Sequence, residues 1–241
     1  MGTQAGMSPS EDRPSLATGI ALRIGAIAFF LILEAVILFV AAGRLDWTWA
    51  WIYLAICVGT VLVNGTLMFR ASPETIAERG RPGETQTWDK VVSGLWSLAL
   101  YLLLPLVAGL DVRFAWSGDL AVAWNVAGAA VLVAGLGLAA WAMLANAYFS
   151  TAVRIQGDRG QTVCRSGPYR LVRHPGYVGF ILQSFGTALV LGSLWALVPG
   201  VAAASLMVIR TALEDRFLQA ELPGYRDYTR DVRHRLVPGI W

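Results

Sequence analysis

The chain has 241 residues, of which 56% are hydrophobic and only 15% charged, with 19 Lys and Arg against 16 Asp and Glu. That is too little charge to coat a soluble domain of this size, so much of the apolar surface must face lipid. Apolar blocks recur along the whole chain, which excludes a secreted protein carrying one removable leader, and the net charge of +3 needs no nucleic-acid partner because the basic residues flank apolar spans.

Residues 1–19 carry Pro9, Glu11, Asp12, Arg13 and Pro14 without a long apolar run and read as a solvated, flexible tail. Four apolar stretches follow, over residues 20–42, 49–68, 91–110 and 121–145, each offering the roughly 20 residues a helix needs to cross about 30 Å of hydrocarbon. The last apolar stretch, 177–209, is interrupted by Gly192-Ser193 and Pro199-Gly200 and predicts two crossings joined by a turn near Gly192.

The expected fold is therefore an all-α polytopic membrane bundle of about six transmembrane helices, ending in a helical hairpin and a polar tail. Its divisions are the tail to residue 19, a four-helix region over 20–145, and a chemistry-bearing region over 146–241. Seventeen of the 19 basic residues fall on one side of this arrangement, leaving only Arg44 and Arg113 on the other. An even number of crossings then places both termini in the cytoplasm.

Trp47, Trp49, Trp51, Trp116 and Trp124 suit an interfacial aromatic belt. Gly128, Gly135 and Gly137 in the fourth span suit close helix packing rather than phosphate binding, for no GxGxxG follows a strand. Glu34 is the one acid within the first four stretches that a cavity or a neighbouring helix must accommodate. Cys57 and Cys164 lie far apart, and neither sits in a Cys/His cluster, so neither a disulfide nor a metal site is expected.

The chemistry-bearing residues gather in the last 95 positions. Gly167-Pro168 and Pro175-Gly176 bracket the run Tyr169-Arg170-Leu171-Val172-Arg173-His174 and can hold it rigidly at the membrane surface. The His174 imidazole can serve as a pocket contact, a structural hydrogen-bond donor or an acid/base group. Arg210 and Glu214, four residues apart at the end of an apolar run, share a helix face, either as an ion pair or toward a ligand. The tail around Tyr225, Tyr228 and Arg233 can fold back over a cavity or lie on anionic headgroups.

In this order, GPYRLVRHPGYVG at 167–179, RxxxED at 210–215 and PGYRDYTRDVRHRLVPGI at 223–240 resemble the isoprenylcysteine carboxyl methyltransferase family and its phospholipid methyltransferase relatives. The resemblance covers about residues 146–240. It implies a methyltransferase using S-adenosylmethionine, with Tyr169, Arg173, His174, Tyr177, Glu214, Tyr225, Tyr228 and Arg233 at the cofactor, and Arg210 orienting an acceptor carboxylate. Glu214-Asp215 stands where the family has two glutamates. The implied acceptor is a lipophilic or prenylated substrate entering from the bilayer, most directly a prenylcysteine carboxylate. Phospholipid N-methylation is the alternative, and a nicotinamide-dependent sterol or enone reductase is the next.

The two acceptor chemistries make different demands. A carboxylate is already ionised at neutral pH and needs orientation more than a base. An amine must first lose a proton, which turns attention to His174 or Glu214.

Overall fold

The computed structural model describes residues 16–71, 73–80 and 85–241; the predicted tail up to residue 15 and Arg81 lie outside them. Helices α1 (Leu16–Ala42) and α2 (Thr48–Ala71) are followed by the short α3 (Pro73–Gly80). Next, α4 (Thr87–Leu98) runs through one wide turn, Ala99–Leu103, into α5 (Leu104–Phe114), and α6 is Val122–Ala145. After a long connection come α7 (Pro175–Val190), α8 (Leu197–Glu221) and α9 (Tyr225–Asp231). No strand occurs among the described residues.

Five helical stretches are long and apolar enough to span a membrane: α1, α2, α4 with α5, α6 and α8. The expectation of about six crossings is corrected to five long apolar helices, because α7 has 16 residues, about 24 Å at 1.5 Å per residue. Its ends are set by residue chemistry. Pro175 opens it at a position where a missing N–H costs nothing, and the chain then turns through Gly192 at φ +70°. The expected hairpin is present, with α8 returning after that turn.

Elements at each end of the bundle identify themselves by contact. At one end Asp111 accepts from Ser193 Oγ and Ser117, while Asn125 Nδ2 donates to Val190 O at 3.0 Å, clamping the α7–α8 turn against the start of α6. At the other end Gly19 meets Ala77 of α3, Thr75 Oγ1 donates to Ala147 O at 3.1 Å, and Asp89 accepts from Arg210. The start of α1 and the C-terminal segment thus share one end of the bundle, together with most of the arginines.

The outer helices are apolar almost all round. Ile24, Phe29, Ile32, Val36 and Val40 of α1 and Leu62, Val63 and Phe69 of α2 are exposed, as lipid-facing side chains are. Glu34 is buried and accepts a hydrogen bond from Tyr53 OH at 2.8 Å, so α2 satisfies it. Pro105 lies just beyond the wide turn, in which Leu104 N–H reaches back five residues to Ala99 O. A regular turn would press the proline ring onto the Tyr101 carbonyl, and the wider one relieves that. Trp51, Trp116 and Trp124 are exposed as an aromatic belt requires, but Trp47 is buried in the core.

Helices α6 and α7 pack antiparallel through small residues. A Cβ at Gly128 would lie 2.2 Å from Val190 N, and one at Gly186 would lie 2.5 Å from Leu132 N. Gly135 and Gly179 oppose each other in the same way, whereas Gly137 faces open space, against expectation. Gly128→Ala is expected to cost about 1–3 kcal/mol, because backbone must shift. Gly137→Ala, on the same helix, should melt at or above the wild-type temperature. Thermal unfolding of both variants in detergent checks the pair; equal melting would show that the close approach is not required.

Candidate functional site

Residues 146–174, between α6 and α7, contain little regular structure and are fixed by their own polar groups. Asn146 Oδ1 accepts from Tyr148 N at 3.0 Å, Gln156 Nε2 donates to Tyr148 O at 2.8 Å, and Tyr148 OH donates to Gly160 O at 3.0 Å. The buried backbone of an irregular segment must find such partners or pay for desolvation. Pro168 then starts the short 3-10 turn Gly167–Arg170, which delivers Tyr169, Arg173 and His174 to the mouth of the bundle.

There the fold closes around one carboxylate. Asp215, fully buried on α8, takes both arms of Arg173, with Nε at 2.7 Å from Oδ1 and Nη2 at 3.1 Å from Oδ2. Arg235 Nε reaches Oδ2 at 2.8 Å, Gln219 Nε2 at 2.8 Å, and Tyr225 OH donates to Oδ1 at 3.1 Å. His174 Nε2 lies 3.3 Å from the same Oδ1. The third nitrogen of Arg173 donates to the carbonyls of Val232 and Arg233, and the backbone N–H groups of Arg173 and His174 donate to His234 O and Arg235 O. The start of α7, the end of α8, α9 and the C-terminal segment are thereby fastened together, and the tail does fold back over the bundle.

A second carboxylate organises the neighbouring wall. Asp89, near the start of α4, accepts from Thr85 Oγ1, Ser93 Oγ, Val153 N and Arg210 Nε, the last at 2.8 Å. Arg210 also donates to Thr151 O at 2.9 Å, and its guanidinium lies 5.3 Å from the centre of the Tyr177 ring. Arg210 is therefore buried, with Nε on Asp89 and Nη2 on the Thr151 carbonyl. Its partner is Asp89, not the Glu214 that the i,i+4 spacing suggests.

Between these two anchors opens a narrow pocket of about 90 Å³ with an open mouth. Tyr169, Arg173, His174, Tyr177, Glu214, Tyr225 and Tyr228 all line it. Tyr177 OH donates to Glu214 Oε2, and the Tyr177 and His174 rings stack at 5.6 Å. Tyr228 OH donates to Tyr169 O at 2.7 Å. Burial pushes the Tyr169, Tyr225 and Tyr228 hydroxyls up, so all three are neutral at physiological pH. Of the predicted site residues, Arg210 and Arg233 do not line the pocket. The Arg233 side chain is exposed, and only its carbonyl takes part.

Sequence reasoning missed three contributions. Asp215 was overshadowed by Glu214, although it is the acid that holds the motif together. Asp89 lies 121 positions from Arg210 and carries no local signal beyond being an acid at the head of an apolar run. The wall formed by Asn146, Tyr148, Phe149, Gln156 and Gln161 comes from a segment whose irregular folding has no period to read.

Fold and site together define a polytopic helical membrane protein with a polar, aromatic-lined pocket at the arginine-rich end of its bundle. Part of the chain is similar to known proteins. Residues 124–222 match the sequence model of the phospholipid methyltransferase family. Over 82 residues the chain is 40% identical to the cobalt-zinc-cadmium resistance protein CzcN of Cupriavidus metallidurans, covering 33% of this chain and 37% of that protein. The chain thus spans little more than a third of the length of that curated relative. Among the described residues no group of three or more His, Cys, Asp or Glu could hold a metal ion, and Cys57 and Cys164 are free. The family match runs from α6 to the end of α8, and it favours the phospholipid branch over the prenylcysteine branch of the resemblance.

Proposed function

We propose that the protein is an S-adenosylmethionine-dependent membrane methyltransferase whose acceptor is the amine headgroup of a phospholipid. The observation that carries this reading is that a carboxylate, Glu214, lines the pocket, while Arg210 is ion-paired with Asp89 and does not line it. A prenylcysteine carboxylate would want a free cation and no neighbouring acid. An amine wants the reverse. The match over residues 124–222 to phospholipid methyltransferases points the same way.

The residues present fit the cofactor in kind. The pocket offers a carboxylate and several aromatic faces suited to a cationic, heteroaromatic ligand, and it is walled by Phe149, Tyr169, Tyr177, Tyr225 and Tyr228. When bound, S-adenosylmethionine supplies an electrophilic methyl group on a positively charged sulfur. The chain's own tasks are then to align and to deprotonate. Glu214, oriented by Tyr177 OH, receives the proton that the acceptor ammonium must lose before its nitrogen lone pair can attack. The Asp215 cluster holds the tail over the pocket and excludes water during transfer. With α7 counted as a short crossing, the arginine-rich end and the pocket face the cytoplasm.

Calorimetric titration of the detergent-solubilised protein with S-adenosylmethionine, with the reduced nicotinamide cofactor as comparison, tests the assignment. Saturable binding of the former that weakens at least tenfold in His174→Ala, followed by methyl transfer to phosphatidylethanolamine in vesicles, is the expected result. Selective nicotinamide binding would replace this reading with the reductase one. Transfer to a prenylcysteine analogue alone would restore the carboxylate acceptor.

A further inference from the structure

Outside the pocket the bundle holds cations that no acid among the described residues pairs with. Arg79, on α3, has a buried Nε with no hydrogen-bond partner. Its Nη1 finds only thioether sulfurs, Met143 Sδ at 2.8 Å and Met68 Sδ at 3.9 Å. Thioether sulfur is a weak acceptor that carries no charge. The nearest cation makes matters worse: Arg23 of α1 lies within electrostatic reach and forms no ion pair among the described residues. Burial first, and Arg23 second, push the Arg79 guanidinium down to about 9, so it remains cationic at neutral pH. Nearby acids are committed elsewhere. Glu78 pairs with Arg154, while Glu34 accepts from Tyr53 and stands eleven residues along α1 from Arg23, about 16 Å away. Asn64 Oδ1, beside the same Met143, is likewise buried without a donor.

A buried, unbalanced guanidinium is costly unless a ligand supplies the counter-charge. Arg23 is the eighth residue of α1, at the start of its third turn, and α3 lies against the start of that helix, so both arginines lie toward the same end of the bundle. Arginine recognises phosphate through a planar fork of donors, and basic recesses between membrane helices are suited to lipid headgroups. Arg79 also adjoins the pocket through one ring: its guanidinium lies 5.5 Å from the centre of Phe149, and Phe149 lines the pocket.

We infer that Arg79, assisted by Arg23, binds the phosphodiester of a membrane phospholipid, so that the headgroup nitrogen extends past Phe149 into the pocket. This rests on the proposed phospholipid acceptor and names what holds it.

The test uses the full-length protein, delipidated in detergent, with three probes: dihexanoyl phosphatidylethanolamine, dihexanoylglycerol and inorganic phosphate. Binding is read by calorimetry, with S-adenosylmethionine titrated in parallel. The expected result is preference for the phospholipid over both other probes, at least tenfold weaker binding in Arg79→Gln, partial recovery in Arg79→Lys, and unchanged S-adenosylmethionine binding. Phospholipid affinity within twofold of wild type in Arg79→Gln would overturn the inference, as would equal affinity for the diglyceride. Competition by inorganic phosphate at the same concentration would reassign the recess to a free anion. Should Arg79→Gln not fold, Arg23→Gln decides, and full retention of phospholipid binding in it counts against the site. Loss of S-adenosylmethionine binding in the wild type strikes the proposed function instead, and leaves the lipid measurement readable.

Discussion

Asp215→Asn is expected to abolish S-adenosylmethionine binding and to destabilise the protein by about 3–5 kcal/mol, the usual cost of stranding buried charges without their partner. The substitution keeps the shape of the side chain and removes only its charge and one acceptor. What remains are two guanidinium groups, Arg173 and Arg235, facing a neutral amide in a site where Asp215 itself is wholly buried. Because Arg173 also holds the carbonyls of Val232 and Arg233, loosening it releases the C-terminal segment and, with Tyr225, the lid side of the pocket. Thermal unfolding and calorimetric titration, run on the same preparation, read the two effects separately. Wild-type melting with wild-type cofactor affinity would show that the cluster holds neither the tail nor the pocket.

Glu214→Gln serves as the contrast, since the neighbouring residue faces the other way. Glu214 lines the pocket and is only partly buried, whereas Asp215 faces the packing between α7, α8 and the tail. A helix advances about 100° per residue, so the two adjacent acids point in different directions. The sequence carried both acids but not the direction of each. Tyr169, Arg173, His174 and Tyr177 were singled out by the family resemblance, and two prolines and two glycines in the same short run marked it as rigid. Asp89 was not legible, because its task depends on where α4 packs relative to α8. The turn that ends α7 was legible at Gly192, whereas the start of the helix at Pro175, which leaves it 16 residues long, was not read from hydropathy. The fold class needed only the excess of apolar surface, and the alternation of basic segments already implied which ends of the helices meet.

Glu214→Gln is expected to lower turnover on phosphatidylethanolamine by about 100-fold or more, the typical contribution of a positioned general base. Its pH dependence carries the sharper information. Without the carboxylate, only the fraction of acceptor already present as free amine can react, and an alkyl ammonium has a reference pKa of about 10.4. That fraction rises about tenfold per pH unit below the amine's pKa, so the rate of the variant should climb with nearly that slope while the wild type climbs more gently. The slope separates deprotonation from packing, because a cavity or a displaced Tyr177 would depress the rate equally at every pH. It also separates the two acceptors: a carboxylate is ionised throughout the range, so its methylation gains nothing from alkali. A flat profile in Glu214→Gln, at whatever rate, would remove the base role from Glu214 and with it the main physical argument for an amine acceptor.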